Sequence, residues 1–389
     1  MTWQSVEELQ QFLTEEVFCR SVAPRKAAGR ALGTLVEIIT FYLLKSWGLE
    51  RSTLIERRLP EYANSSISHN VEFTLHPSET LNGNILFKKG GTSITARKIL
   101  SQLPSNALFD QKKIKSGNLV SATGLVRNSC VVCETTESIC AAYLNSCNRG
   151  NYSVCVQKLT PHPFAVVECK RVGIEEGLGR GPQTIEKAKQ GAYVARTVSS
   201  LQRVRMPDGK VLGIFCHPNG KIIDKPYDQF LREIVQSNDS ALLKDFTLTV
   251  GVVSNHGNWF TSEDHNKEIK VLAHSYDWLL FLTDKGLVSF INDLILGTSG
   301  ESLLVKNAFL ASYGKTGGKK QKNRFTKTEI DLQAHWVLCD YFKKNLRVVE
   351  RWFNVIAPER RTLKELRNDL HLLVSKDWKT INDDRRKNR

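Results

Sequence analysis

The segment with the fewest folding options in this chain is Pro163-Phe164-Ala165-Val166-Val167-Glu168-Cys169-Lys170. Four consecutive apolar residues bounded by a proline read as a short buried strand. In a strand, side chains at i and i+2 lie on the same side of the sheet, so Glu168 and Lys170 are expected on one face. A carboxylate able to hold a divalent cation would then lie beside an ammonium able to stabilise a developing anion. Four other acid-x-lysine triplets begin at Asp110, Asp208, Glu268 and Asp377. None of them ends an apolar run of this length, and Asp208 falls in Pro207-Asp208-Gly209, a turn sequence.

The residues that follow extend this unit. A glycine-rich stretch from Gly173 to Gly181 ends at Pro182, and the spacing predicts a helix from Gln183 to about Arg203 carrying Lys187, Lys189, Gln190, Tyr193 and Arg196. Upstream, Ser5-Val6-Glu7-Glu8 has capping-box spacing for a short amphipathic helix. A longer helix is predicted from Lys26 to Trp47, stopped by Gly48. Glu37 is a lone acid among Leu35, Val36, Ile38 and Ile39. Burying it requires a partner, so it is either a structural hydrogen-bonding group or part of a metal site.

Alternation in Val71-Glu72-Phe73-Thr74-Leu75 and the run Ile85-Leu86-Phe87, separated by Asn82-Gly83, predict two strands joined by a turn. Cys130-Val131-Val132-Cys133 reads as the strand preceding the Glu168 strand, and Val211 to Phe215 and Phe246 to Val253 as further buried strands. Helices are expected at Tyr227 to Gln236, over 271–296, from Ile330 to Arg351 and from Thr362 to Val374. Alternating strands and helices imply an α/β core. Lys315 to Arg324 breaks the pattern with lysines, glycines and no acid. The expected division is a core over 1–313, a basic loop or linker over 314–327 and a helical C-terminal subdomain over 328–389.

The chain has 389 residues and a formal net charge of +15. Such an excess of positive charge favours a polyanionic partner, nucleic acid first. The N-terminal stretch is acidic and amphipathic, unlike a signal peptide, and the longest charge-poor run, Ala31 to Leu44, is short for a bilayer and contains Glu37. A cytoplasmic protein without membrane association is expected. The nine cysteines, an odd number, read as reduced thiols. A structural zinc at Cys130, Cys133, Cys140, Cys147 and Cys155 is a competing reading. Gly314-Lys315-Thr316 is not a P-loop, because Phe309 stands where the first glycine is needed.

Together, the acid-bearing helix, the strand ending Glu168-Cys169-Lys170 and the helix with Gln190-Gly191-Ala192-Tyr193 resemble the PD-(D/E)xK nuclease superfamily, and within it the type II restriction endonucleases. The resemblance implies an α/β fold with a mixed central sheet of restriction-endonuclease type flanked by helices, and Mg²⁺-dependent hydrolysis of double-stranded DNA at a specific sequence, in the manner of a homodimeric restriction enzyme. It implies Glu168 as metal ligand, the Cys169 carbonyl as another, Lys170 as catalytic lysine, Gln190 and Tyr193 in support, and Glu37 as an added helix acid. Lys187, Lys189, Arg196, Lys315, Lys319, Lys320, Lys322 and Arg324 are the expected contacts to DNA phosphates. One position departs from the pattern: where the family has an aspartate on the preceding strand, this chain has Cys130, whose soft thiolate suits Mg²⁺ poorly. Glu134, on the same face, is the expected substitute; a weakened variant or a shifted alignment are the alternatives. The competing functions are a repair or recombination nuclease of the same fold and a DNA-binding module that has lost catalysis.

Overall fold

A computed structural model describes the chain except residues 1–5, 20–23, 63–69, 91, 104–113, 149, 174–192, 195, 218, 257–266, 314–322 and 388–389. At its centre lies a six-stranded mixed sheet built from β1 (Thr53–Arg57), β2 (Val71–Leu75), β3 (Ala165–Gly173), β4 (Leu248–His256), β5 (Trp278–Leu282) and β6 (Phe353–Ala357). With the central strands numbered this way, their order across the sheet is the order along the chain. β3, β4 and β5 run parallel, whereas β1–β2, β2–β3 and β5–β6 are antiparallel.

The apolar run ahead of Glu168 does form the expected strand. Ala165, Val166 and Val167 are all buried, so both faces of β3 are covered. Val166 and Val167 each contribute about 1.5–3 kcal/mol by this burial. Helix α1 (Pro24–Ser46) matches the predicted span and ends at Gly48, whose φ of +76° is a left-handed conformation that glycine adopts without strain. Among the described residues α1 is the one helix long and apolar enough to cross a membrane by length and composition, and most of its apolar window is buried inside the protein. Leu32, Leu35, Ile39 and Tyr42 on α1 join Phe73, Val167 and Cys169 of the sheet in the main core.

Several predicted elements take another form. The segment 271–296 is not one helix: Trp278–Leu282 is the central strand β5, with helices at Lys267–Ala273 and Asp284–Phe290 on either side. A strand buried on both faces has no alternation to distinguish it from a buried helix. Asn82-Gly83 is no hairpin turn but lies within the long strand Ser78–Lys88, at an irregularity in its pairing. Val211–Cys216 belongs to a small three-stranded antiparallel sheet away from the central one. After Asn345 the predicted helix from Ile330 breaks, and Phe353–Ala357 returns to the central sheet as β6, so 328–389 is not purely helical. Leu332, Leu338 and Phe342 from that segment share the main core with α1.

Cys130–Glu134 does form a strand, but it is the edge of a separate four-stranded antiparallel sheet with Ile139–Cys147, Asn151–Leu159 and Ser78–Lys88. This sheet is inserted between β2 and β3. The antiparallel neighbour of β3 in the central sheet is therefore β2.

Candidate functional site

The site is built where β2 parts from β3. Their ladder pairs Ala165 with Leu75, Val166 with Thr74 and Val167 with Phe73. One further step of that register sets Glu168 against Glu72, and there the Glu72 amide donates to the Glu168 side chain, at Oε2, at 3.1 Å. Two carboxylates from adjacent antiparallel strands thus meet at the end of the shared ladder.

Lys170 joins them, as its i+2 relation to Glu168 requires. Its Nζ lies 2.8 Å from Glu168 Oε1 and 3.4 Å from Glu72 Oε1. The Glu168 side chain is only 3% exposed and that of Lys170 22%. An ionised carboxylate so buried needs compensation, which the ammonium and the Glu72 amide supply. Gly251 lies opposite Glu168 in the β3–β4 register. A Cβ at Gly251 would come within 2.8 Å of the Tyr276 ring, so glycine there lets that ring pack close to the strand. Burial, then the nearby Glu168 charge, hold the Tyr276 phenol well above its usual range.

Glu72 is shared by a second ammonium. Its other carboxylate oxygen is paired with Lys327, whose Nζ also lies 3.2 Å from Glu37 and 3.3 Å from Glu56. The Lys327 side chain is 6% exposed. A tight turn fixes it: Phe325 bridges to Ile330, Thr326 and Glu329 exchange hydrogen bonds, and Asn128 Nδ2 donates to the Lys327 carbonyl at 2.7 Å. Burial raises the Glu37 carboxyl above the usual carboxylate range, against the opposing pull of Lys327. Glu56 faces Glu72 across the β1–β2 pair, between the partners Ile55–Phe73 and Arg57–Val71. Its φ is +53°. A non-glycine residue held in this left-handed region costs on the order of 1–3 kcal/mol, a strain that concentrates at functional sites.

The predicted site residues therefore divide. Glu168, Lys170 and Glu37 come together with Glu72, Glu56 and Lys327. Glu134 does not join them: it sits on the separate sheet, paired with Lys115 at 3.1 Å and Arg57 at 3.7 Å. Sequence alone put the preceding strand at Cys130; the inserted sheet displaces it, and the acid on the true neighbour of β3 is Glu72. The Cys169 side chain joins the main core with α1, beside Thr40, and burial pushes its thiol far up. This leaves the Cys169 backbone carbonyl, not the thiol, as the group able to serve the site.

Gln190, Lys187, Lys189, Lys315, Lys319, Lys320 and Lys322 lie outside the described residues. The predicted helix after Gly181 has helical backbone at Tyr193, Val194 and 196–198, and gives way to a strand at Gln202, short of the expected end. Val194 and Val198 pack on Val166, which shares its face of β3 with Glu168, and Arg196 is exposed on this helical segment. Arg324 is engaged within the protein, donating to Asp331 at 2.8 Å and to the Thr123 carbonyl at 3.1 Å.

Among the described residues no three His, Cys, Asp or Glu side chains are grouped closely enough to hold a metal ion as they stand; here ammonium groups lie between the carboxylates. The donor chemistry nevertheless fits a hard divalent cation, since the available ligands are carboxylate oxygens and a carbonyl, with no thiol or imidazole among them. The cysteines of the separate sheet form no disulfide. Cys130 and Cys140 are buried there, which pushes their thiols up to about 11 and about 12, away from the thiolate a zinc ion needs.

Lys327, Glu56 and Glu72 escaped sequence reasoning. Glu72 left one signal, an acid inside a five-residue strand that proves buried throughout. Lys327 left none, standing at the edge of a basic stretch. No family model, no curated protein and no solved structure matches this chain.

Proposed function

We propose that this protein is a Mg²⁺-dependent endonuclease that hydrolyses phosphodiester bonds of double-stranded DNA at a specific sequence, in the manner of type II restriction enzymes. The observation that carries the reading is the meeting of Glu72 and Glu168 across the end of the β2–β3 ladder, with Lys170 shared between them. The resemblance of the Glu168-Cys169-Lys170 strand to PD-(D/E)xK nucleases calls for one more acid on the neighbouring strand, and the position of Glu72 beside Glu168 supports its assignment to that role.

In this reading Glu72, Glu168 and the Cys169 carbonyl hold the ion, with Glu37 behind them. When bound, Mg²⁺ neutralises non-bridging phosphate oxygens and makes its coordinated water more acidic. The chain's own groups do the rest. Glu168 fixes Lys170 by a 2.8 Å contact, so the ammonium is preorganised to orient the attacking water and to stabilise charge on the phosphate as the P–O3′ bond breaks. Burial on a rigid sheet keeps these groups in place without reorganisation during the reaction. The excess of positive charge supports a DNA substrate, with Arg196, Lys187, Lys189 and the lysines of 315–322 as phosphate contacts. Arg324, tied to Asp331, anchors the base of that basic stretch. A two-fold dimer on a palindromic site completes the proposal.

The test is incubation of the protein with supercoiled plasmid and Mg²⁺, with a chelator control. Discrete, chelator-sensitive fragments are expected. A smear would favour a nuclease without defined sequence, such as a repair or recombination enzyme. Intact plasmid with every divalent ion tried, alongside retained DNA binding, would leave a binding protein.

A further inference from the structure

The charges around Lys327 carry one more step, which rests on the nuclease reading above. Four carboxylates, of Glu37, Glu56, Glu72 and Glu168, and two ammoniums, of Lys170 and Lys327, are linked in one chain of ion pairs. With all six ionised the formal charge is −2, which one divalent cation balances. The two lysines divide the carboxylates unevenly. Lys170 bridges Glu168 and one oxygen of Glu72, whereas Lys327 gathers Glu37, Glu56 and the other oxygen of Glu72.

Two-metal phosphodiesterases place a pair of ions about 3.5–4 Å apart, with carboxylates arranged around both. Glu72, with each oxygen directed to a different cation, has the form of a carboxylate bridging two such positions. We infer that Lys327 is a resident counterion that takes the place of a second divalent cation, so that the site accepts one ion rather than two. Three features fit this role. The ammonium is almost wholly buried, so it is not a mobile surface charge that an ion displaces cheaply. Its backbone is held by the Asn128 bond and the turn at 325–330. Glu56 is brought to it in a left-handed backbone conformation, so local strain is accepted where the third carboxylate reaches the ammonium. Lys327 is thus a positioning residue, holding Glu72 for the ion and limiting how many ions enter.

The test counts Mn²⁺ bound per chain by titration calorimetry on the full-length protein without DNA, for wild type, Lys327→Met and Lys327→Arg. The inference expects one ion in wild type and in Lys327→Arg. In Lys327→Met it expects a second ion, or binding of the first at least about tenfold tighter, because a like charge beside the ion has been removed. Two ions in wild type would overturn it whether or not Lys327→Met folds. One ion of equal affinity in folded wild type and Lys327→Met would overturn it while leaving the nuclease reading standing. No Mn²⁺ in any of the three would overturn both.

Discussion

Glu72→Gln separates a functional carboxylate from a structural one. In the native cluster Glu72 is attracted by two ammoniums, Lys170 at 3.4 Å and Lys327 in closer contact. At an effective dielectric of about 20 each attraction is worth about 5 kcal/mol. Three other carboxylates held by the same two ammoniums oppose it, each by roughly 3 kcal/mol for like charges taken at about 5 Å. The two sums nearly cancel, and glutamine keeps the size and an acceptor oxygen. Its removal of one negative charge takes the cluster from a formal −2 to −1. Folding stability should therefore change by no more than about 2 kcal/mol, a shift of a few degrees in melting temperature. DNA cleavage, by contrast, should fall by about a thousandfold or more, as expected when a group acting directly on the ion or transition state is lost. Thermal unfolding and a plasmid cleavage time course on the same preparation read both quantities. Cleavage within tenfold of wild type would refute the assignment of Glu72. So would loss of cleavage explained by a melting temperature lowered by more than about 10 °C, because Glu72 would then be serving the fold.

Two further outcomes follow from the same geometry. Glu134→Ala should leave cleavage within about threefold of wild type, because Glu134 belongs to the separate sheet and meets only Lys115 and Arg57 among the charged groups described; a loss comparable to that of Glu72→Gln would return the partner acid to that strand. Stability should also fall on acidification. His76, bonded to Thr160 and Thr74, and His335, bonded to Tyr42, are both buried, and burial holds them well below the ordinary histidine range. The unfolded chain takes up these protons near pH 6.5 while the native state does not, so the stability they contribute is present above that pH and is lost below it, by up to about 1.4 kcal/mol per pH unit for each. Glu37, with its carboxyl raised, works in the opposite sense, since the native state binds its proton more readily and gains as pH falls through the carboxylate range. Melting temperatures at pH 7.5 and 5.0 for wild type and His76→Asn check the histidine contribution, which a pH-independent difference would contradict.

What could be read in the sequence follows the strength of the local signals. β3 was legible because an apolar run cannot be exposed and the i, i+2 rule places Glu168 and Lys170 together. Helix α1 was legible from its length, its apolar stripe and Gly48. β5 was not, because Trp278–Leu282 is buried on both faces and lacks the alternation that marks a strand. The partner acid was missed for a topological reason: the Cys130–Glu134 strand precedes β3 closely in sequence, yet it pairs with Ile139–Cys147 in a sheet of its own, and the neighbour of β3 is β2. Register across that insertion is a tertiary property, and no local pattern in Val71–Leu75 encodes it. Lys327 was hidden for the same reason. Its partners Glu37, Glu56 and Glu72 all lie more than two hundred residues upstream, and its burial depends on the turn that Asn128 secures.

The most direct test of the central claim compares wild type with Lys170→Ala for cleavage and for DNA binding on one plasmid substrate in Mg²⁺. Lys170 reaches only the two carboxylates of the site among the ion pairs described, and its side chain is no part of the apolar core. The account predicts that wild type cuts the plasmid and that Lys170→Ala binds it with similar affinity while cutting at least about a thousandfold more slowly. Cleavage by Lys170→Ala at the wild-type rate would contradict the claim that the Glu72–Glu168–Lys170 cluster is the catalytic centre.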